Sequence, residues 1–416
     1  MECFLLLDYN RTSYFRYSKK ICGKSGKMIA YKFRMYPNKE QEERLDFALE
    51  ICRQTYNNLL SDLQEQTEIN RNKIQHKIVK LKKENPEITQ VYSKTLQYEC
   101  YRLFSNLSAL SHLKRNGKRV GRMRFKGKGW FKTINYNQSG FKLITTEKRF
   151  SFLELSKIGK IKIIKHREII GKIKQIAIKK SCNKWYAIII TDFTRIIQNG
   201  NKILGIDLGI NHFIADSEGN FVAHPKNIER FSLRLKKAQR KLSKKKKGSH
   251  NRWKARVKVM KIHEKIENCR NDFLHKITTQ LIKNCKIIIV EDLKIKEMMM
   301  NCYNAKNMAD ASWGKFLQML EQKVESTTAK VVRINPKNTT KTCSKCGNIQ
   351  DMPIWKRTYS CKCGLEMDRD INSAINIKNK FISQELAIVE NKSSTDCKDN
   401  QQDLSMKQEA LPFRVV

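Results

Sequence analysis

The sequence predicts a multidomain α+β protein, and three observations carry that expectation. The chain has 416 residues, too many for one ordinary hydrophobic core. Short alternating apolar runs and one long stretch of helical periodicity share its first half. In its second half, two apolar runs end in carboxylates, and a cysteine cluster follows them.

Residues 1–28 match no clear pattern and read as an extension ahead of a better-patterned segment. Residues 29–37 alternate and stop at Pro37, as a strand does. Asn38, with Gln41 three residues on, is a capping-box start for a helix continuing through Leu45, Leu49, Cys52, Tyr56 and Leu60. Two more helices are expected near 69–84 and 90–107, separated by Pro86. Short runs at 150–155, 160–164, 173–179 and 184–191 predict a small β-barrel or sheet that the strand at 29–37 joins, with the helices of 38–111 inserted. A new unit begins at 201. A buried strand running into a turn is expected over 202–210, with a hairpin partner at 212–216 and a second buried strand at 285–291, long basic helices over 226–283, a helix over 311–325 and a strand at 329–335. A last helix covers 371–381, and the polar tail of 382–416 reads as disordered.

Charge narrows the function classes. Lys and Arg number 84 against 40 for Asp and Glu, a net +44. AT-rich coding bias would raise Glu together with Lys, so a polyanionic partner, first of all nucleic acid, explains the surplus better. No apolar run is long enough for a membrane span. The 13 cysteines, one cluster and a scattered remainder, fit a reducing compartment and not a disulfide framework, which points to a cytoplasmic, nucleoid-associated protein.

Three acids stand where catalysis needs them. Asp207 ends an apolar run between Gly205 and Gly209, Glu291 ends the run 286–290, and Asp370 precedes a helical pattern. Each alone reads equally well as a strand-end acid or a helix cap. Together they form a hard-oxygen ligand set for two Mg²⁺ ions, one activating water and one stabilising the leaving oxygen. No Ser-His-Asp, Cys-His or P-loop pattern competes. Cys343 and Cys346, then Cys361 and Cys363, have the spacing of a closed tetrahedral site for one structural Zn²⁺, and Gly347 and Gly364 follow each pair as knuckle turns require. Two basic segments are candidate nucleic-acid contacts. One interleaves Arg122, Arg124, Lys126 and Lys128 with Trp130 and Phe131, so that aromatic rings stack on bases while cations hold phosphates. The other spans 232–265 and includes Arg234, Arg240, Lys244 to Lys247, Arg252 and Arg256. The blander readings are an exposed loop with core aromatics for the first and a solvated helix face for the second.

These residues resemble the TnpB family, the accessory nuclease of small insertion sequences, and are similar to the miniature type V CRISPR effectors. The resemblance runs from about 29 to 381. It rests on Tyr31 to Pro37 with Gln41, on Gly205 to Gly209, on Val290 to Leu293, on Asn335-Pro336 with Thr339-Thr340 before the first cysteine pair, and on Asp368 to Ile377. It implies an RNase H-like (RuvC) α/β nuclease core over 201–337 and 367–381, with a zinc ribbon inserted at 338–366. It implies an N-terminal β-barrel wedge over 29–37 and 112–200 that carries an inserted helical recognition bundle. Asp207, Glu291 and Asp370 match the family's catalytic positions, and Asp370 is preferred to Asp368 because the family's acid sits two residues before an Asn. The second cysteine pair departs from the family in being CxC where CxxC is also common. The implied activity is cleavage of double-stranded target DNA chosen by a guide RNA beside a short transposon-adjacent motif. A CRISPR-associated effector, a strand-transfer transposase and a zinc-ribbon nucleic-acid-binding regulator remain alternatives.

Overall fold

The computed structural model describes residues 27–65, 70–146, 150–193, 199–300, 305–325, 327–353 and 355–396, so most of the extension at 1–28 and the end of the tail, 397–416, lie outside the described residues. The chain divides into two compact units, residues 1–195 and 196–416. No helix among the described residues is long and apolar enough to cross a membrane.

The first unit is built on a seven-stranded antiparallel sheet. Its strands are β1 (Lys27–Tyr36), β2 (Thr133–Asn137), β3 (Phe141–Ile144), β4 (Phe150–Leu155), β5 (Gly159–Ile164), β6 (Lys172–Ser181) and β7 (Lys184–Phe193), in the order β2-β6-β7-β1-β5-β4-β3. The first strand in sequence is therefore the central one, pairing Tyr31 with Ile189 on one side and Arg34 with Ile164 on the other. Its alternation sends Tyr31, Phe33 and Met35 into the core. The edge strands β2 and β3 are joined only by the short turn Gln138–Gly140, so the sheet curls to bring its two edges towards each other.

Three helices complete this core: α1 (Lys39–Glu65), α2 (Arg71–Glu84) and α3 (Ser93–Arg115). The expected capping box forms. Gln41 N–H donates to Asn38 Oδ1 at 2.8 Å, and Asn38 N–H donates to Gln41 Oε1 at 3.1 Å. Gln41 also donates its side-chain amide to Lys160 O at 2.9 Å, which ties the start of α1 to the sheet. Leu45, Leu49, Cys52, Tyr56 and Leu60 pack with Ile74, Ile78 and Leu96 against the inner face of the sheet.

The second unit holds a mixed five-stranded sheet. Strands β8 (Lys202–Asp207), β9 (His212–Asp216), β10 (Phe221–Ala223), β11 (Cys285–Glu291) and β12 (Lys330–Ile334) run in the order β10-β9-β8-β11-β12. β8, β11 and β12 are parallel, while β9 and β10 fold back antiparallel. Between β10 and β11 lie α4 (Asn227–Ser243) and the long α5 (His250–Asn284). Between β11 and β12 lie α6 (Ile295–Met300), α7 (Ala305–Ala311) and α8 (Trp313–Val324), of which α6 and α7 were not expected from the sequence. β13 (Thr358–Ser360) and β14 (Glu366–Asp368) form a small hairpin within the cysteine segment. The last helix, α9, runs from Arg369 to Asp396, where the sequence had suggested an end near 381. Its added turns contain Glu385, Leu386, Ala387 and Glu390, good helix formers that let the helix propagate beyond the packed core.

The central parallel strands β8 and β11 are buried on both faces, and that fixes the site. Leu204, Ile206, Ile288 and Val290 face a core shared with Leu274 and Ile277 of α5 and with Phe316 and Leu320 of α8. Residues of the other parity, Ile203, Ile287, Ile289, Val332 and Ile334, pack with Ile377 and Phe381 of α9. A strand has period two, so Asp207 and Glu291 belong to the face that α9 covers.

Candidate active site

The three acids are brought to one end of the second sheet. β8 and β11 are in register with Ile206 opposite Val290, so Asp207 and Glu291 leave neighbouring parallel strands side by side. α9 reaches them by crossing β8 at Gly205. A Cβ on Gly205 would lie 2.3 Å from Ala374 O and 2.9 Å from Lys378 N, a separation that only glycine tolerates. The same crossing sets Asp370, in the first turn of α9, beside Gly209: a Cβ there would lie 3.7 Å from Asp370 Oδ2.

The acids also affect one another's charge through burial and proximity. Burial pushes the Asp207 carboxyl up to about 8, and the Glu291 and Asp370 carboxylates raise it further, against smaller opposing effects of Ser373 and Arg369. Burial also raises Glu291, with the Thr339 hydroxyl and Lys380 acting against it. Glu291 and Asp370 are each 8% exposed. The carboxylates stand further apart than the thiols of the cysteine cluster, which alone among the described residues gathers its ligand atoms within 4.8 Å. Burial and the two neighbouring carboxylates favour the neutral form of Asp207, a crowding of acids that a divalent cation relieves, and the hard oxygens of the three acids suit such an ion.

Asp368 has a different job. Its Oδ1 accepts the backbone N–H groups of Asp370 at 2.8 Å and Ile371 at 3.4 Å, which makes it the cap of α9. Asp292, next to Glu291, is exposed and pairs with Arg333 at 3.0 Å.

The four cysteines form a second site. Sγ of Cys343 lies 3.7 Å from Sγ of Cys363, and Sγ of Cys346 lies 3.6 Å from Sγ of Cys361. Gly347 and Gly364 take the positive φ values of 76° and 85° that knuckle turns require, and each donates its N–H back to the first cysteine of its pair at 3.0 Å. Burial opposes ionisation of Cys343, but the backbone N–H groups of Cys346 and Lys345 and the thiols of Cys346 and Cys361 together outweigh it and bring the thiol down to about 7, towards the thiolate that binds metal. Four sulfurs with no open position suit a structural zinc.

The basic candidates divide. Arg122, Arg124, Lys128 and Trp130 are exposed, Trp130 at 66%. Their loop is pinned to α1, where Arg53 donates to Lys126 O at 2.7 Å and Asn57 Oδ1 accepts Lys126 N–H at 2.8 Å. Lys126 is half-buried, with its ammonium 5.7 Å from the centre of the Trp130 ring. Phe131 is a correction: it is 7% exposed and packs edge-on against Tyr56 as a core residue, because consecutive residues of an extended segment point to opposite sides. Arg234, Arg240 and Arg256 are exposed on α4 and α5. Arg252 is half-buried and donates to Leu242 O at 3.1 Å and Lys245 O at 2.8 Å, so it closes the bend between these helices.

The sequence reading assigned no role to Thr339, Asn372 or Asn376, which connect the three acids to the cysteine cluster. Thr339 donates its hydroxyl to Glu291, while Asn372 and Asn376 of α9 bind the segment that leads into Cys343. Two Asn residues four apart on one helix face were the available signal.

Comparison with known proteins shows what the chain is similar to. Family models match in chain order: a helix-turn-helix domain of the OrfB/IS605 type at 28–72, the probable transposase OrfB_IS605 at 195–301, and the Cas12f1-like TNB domain at 313–377. A putative RNA-guided DNA endonuclease of Streptomyces pristinaespiralis is 39% identical over 42% of this chain and 44% of its own length, so the chain spans less than half of that relative. The putative RNA-guided DNA endonuclease InsQ of Escherichia coli is 27% identical over 62% of this chain and 68% of its own. The CRISPR-associated endodeoxyribonuclease Cas12f1 of Sulfoacidibacillus thermotolerans is 29% identical over 47% and 50%. A solved Cas12f1–sgRNA–target DNA complex shares the fold, with a TM-score of 0.57 at 14% identity over 85% of this chain and 99% of that one. The chain is therefore similar to the OrfB, or TnpB, proteins over 28–72 and 195–301 and to the Cas12f1-like proteins over 313–377, and a TnpB-like protein of Acanthamoeba polyphaga mimivirus is 31% identical over 29% of this chain and 24% of its own length.

Proposed function

We propose that the protein is an RNA-guided DNA endonuclease of the transposon-encoded type, which hydrolyses DNA phosphodiesters next to a short transposon-adjacent motif. The observation that carries this reading is the meeting of Asp207, Glu291 and Asp370 at one end of the sheet. In it, residues 201–337 and 367–381 form the RNase H-like (RuvC) core and 338–366 the zinc ribbon. Residues 29–37 and 112–200 form the β-barrel wedge, with 38–111 as its helical recognition part.

The three carboxylates hold two Mg²⁺ ions, which when bound supply an activated water and charge stabilisation at the leaving oxygen. Asp207 and Glu291 present their oxygens from two adjacent strands, and Asp370 closes the set from the helix above them. Arg369, whose guanidinium is 3.4 Å from Asp370 Oδ1, helps to orient that acid. Cys343, Cys346, Cys361 and Cys363 hold one structural Zn²⁺. The exposed Arg122, Arg124, Lys128, Trp130, Arg234, Arg240 and Arg256, with the half-buried Lys126, contact guide RNA and target DNA. This activity places the protein in the cytoplasm with the nucleoid.

Purification with the RNA transcribed beside the gene, followed by plasmid cleavage assays in Mg²⁺, tests the reading. Changing only the terminal guide segment of the RNA should redirect the cut. Equal and specific cutting by RNA-free protein would overturn the proposal.

A further inference from the structure

Glu291 is held by a segment that also holds the cysteine cluster. Thr339, 4% exposed, donates its hydroxyl to Glu291 Oε1 at 2.5 Å. Pro336 O lies 3.0 Å from the same hydroxyl. A hydroxyl has one proton to donate, and a carboxylate is the stronger acceptor, so the bond to Glu291 is preferred when that residue is ionised. The Thr339 carbonyl is itself fixed. Asn376 Nδ2 donates to Thr339 O at 2.8 Å and to Thr342 O at 2.6 Å, using both of its protons. Asn372 Nδ2 donates to Thr342 O at 2.8 Å, and its Oδ1 accepts the N–H of Ser344 at 3.0 Å. Ser344 directly follows Cys343, the buried cysteine of the cluster. Asn372 is fully buried and Asn376 is 9% exposed. Both stand on α9, the helix that presents Asp370.

We propose that Thr339 is a positioning residue that fixes the Glu291 carboxylate for divalent-cation binding, and that Asn372 and Asn376 couple this positioning to the cysteine cluster. The proposal rests on the metal-nuclease reading given above. A carboxylate at a strand end turns about its last side-chain bonds. Anchoring Oε1 to Thr339 leaves Oε2 aimed along one direction. Partners of metal-ligating carboxylates act in this way, and their removal typically costs about 10–100-fold in metal affinity. The segment 339–344 is short and bonded at both ends, so folding of the cysteine cluster and aiming of Glu291 occur together.

The test is Mn²⁺ binding to the full-length protein, measured by calorimetry, alongside the Mn²⁺ concentration for half-maximal cleavage, zinc content and melting temperature. Thr339→Val keeps the shape and removes the hydroxyl. It should weaken Mn²⁺ binding by about 10-fold or more and raise the half-maximal concentration equally, with zinc content unchanged. Thr339→Ser should restore both. If Thr339→Val does not fold, Asn376→Asp, which places a carboxylate against the carbonyls of Thr339 and Thr342, should show the same metal defect with zinc retained. Unchanged Mn²⁺ affinity in a folded variant would overturn the proposal. So would loss of zinc and melting temperature in both Thr339 variants without a metal defect. Asp207→Ala is the control that separates the two ideas. If it leaves Mn²⁺ binding intact, the metal-nuclease reading fails. If it abolishes binding while Thr339→Val does not change it, only the positioning role fails.

Discussion

Asp368 Oδ1 accepts the backbone N–H of Asp370 at 2.8 Å, so two acids two residues apart do different work. The first caps α9. The charge of the second contributes to the rise of the Asp207 carboxyl. Asp207→Ala, Glu291→Ala and Asp370→Ala should each abolish cleavage while nucleic-acid binding survives, because each removes a ligand from one shared site. Asp368→Ala should cost only a helix cap, roughly 0.5–2 kcal/mol of stability, and should still cut. Plasmid nicking and gel-shift assays on the four variants decide this. A dead Asp368 variant beside an active Asp370 variant would reverse the two roles.

Gly205 is the hinge of that arrangement. An added methyl would meet Ala374 O at 2.3 Å, and the obstacle is backbone, not a side-chain end that can swing away. Gly205→Ala should therefore push α9 off β8, with an overpacking cost of about 1–3 kcal/mol. The larger effect should fall on activity, since Asp370 moves with α9 while Asp207 stays on its strand. Gly121→Ala, where a Cβ meets nothing within 4 Å, is the neutral control. Thermal melting together with cleavage rate tests this. A Gly205→Ala protein with normal melting and normal cutting would show that the close approach of α9 is dispensable.

How much of this the sequence disclosed depended on the range of the interaction involved. The Asn38–Gln41 cap, the knuckle glycines and the strand ending at Glu291 are local, and residue order alone indicates them. The two-sided burial of β8 and β11 was also legible, because 203–206 and 287–290 carry no polar side chain. That Asp370 joins these strands was not visible in spacing, since it depends on where α9 crosses; Gly205 hinted at a close approach without naming the partner. Trp130 and Phe131 carry the same chemistry in adjacent positions, and only the packing of Tyr56 against Phe131 assigns one to the core and the other to solvent. Arg252 looked like its basic neighbours until its bonds to Leu242 O and Lys245 O became known. The helices at 295–311 escaped notice because Met and Asn residues there give a weak period.

The cysteine cluster should contain close to one zinc per chain by elemental analysis of the purified protein. Cys361→Ser, or treatment with a strong chelator, should remove it and unfold the segment locally, because folding of such a ribbon is coupled to metal binding. The loss should extend to cleavage, since Asn372 and Asn376 attach to the same segment that meets Glu291. Zinc near zero in protein with a normal melting profile would rule out the structural role.

The surplus of basic residues makes a prediction about RNA. A net charge of +44 exceeds what a few DNA phosphate contacts require, and the exposed cations lie on several segments. Each phosphate neutralised by Lys or Arg releases counterions, so RNA affinity should fall steeply as salt rises. Arg122→Ala, Arg124→Ala and Lys128→Ala should each lower the slope of that dependence without much effect on melting. Trp130→Ala should weaken RNA binding by about 1–3 kcal/mol at any salt, because stacking on a base needs no counterion release. Phe131→Ala should behave in the opposite way. It empties a core position beside Tyr56 and should cost roughly 3–5 kcal/mol of stability in the first unit. Filter binding across a salt series, paired with thermal melting, separates these outcomes. If Trp130→Ala binds RNA normally while the three cation variants do not, the loop holds phosphates alone. If none of the four changes RNA binding, the nucleic acid is held elsewhere, and the exposed cations of α4 and α5, with Arg234, Arg240 and Arg256, become the surface to alter next.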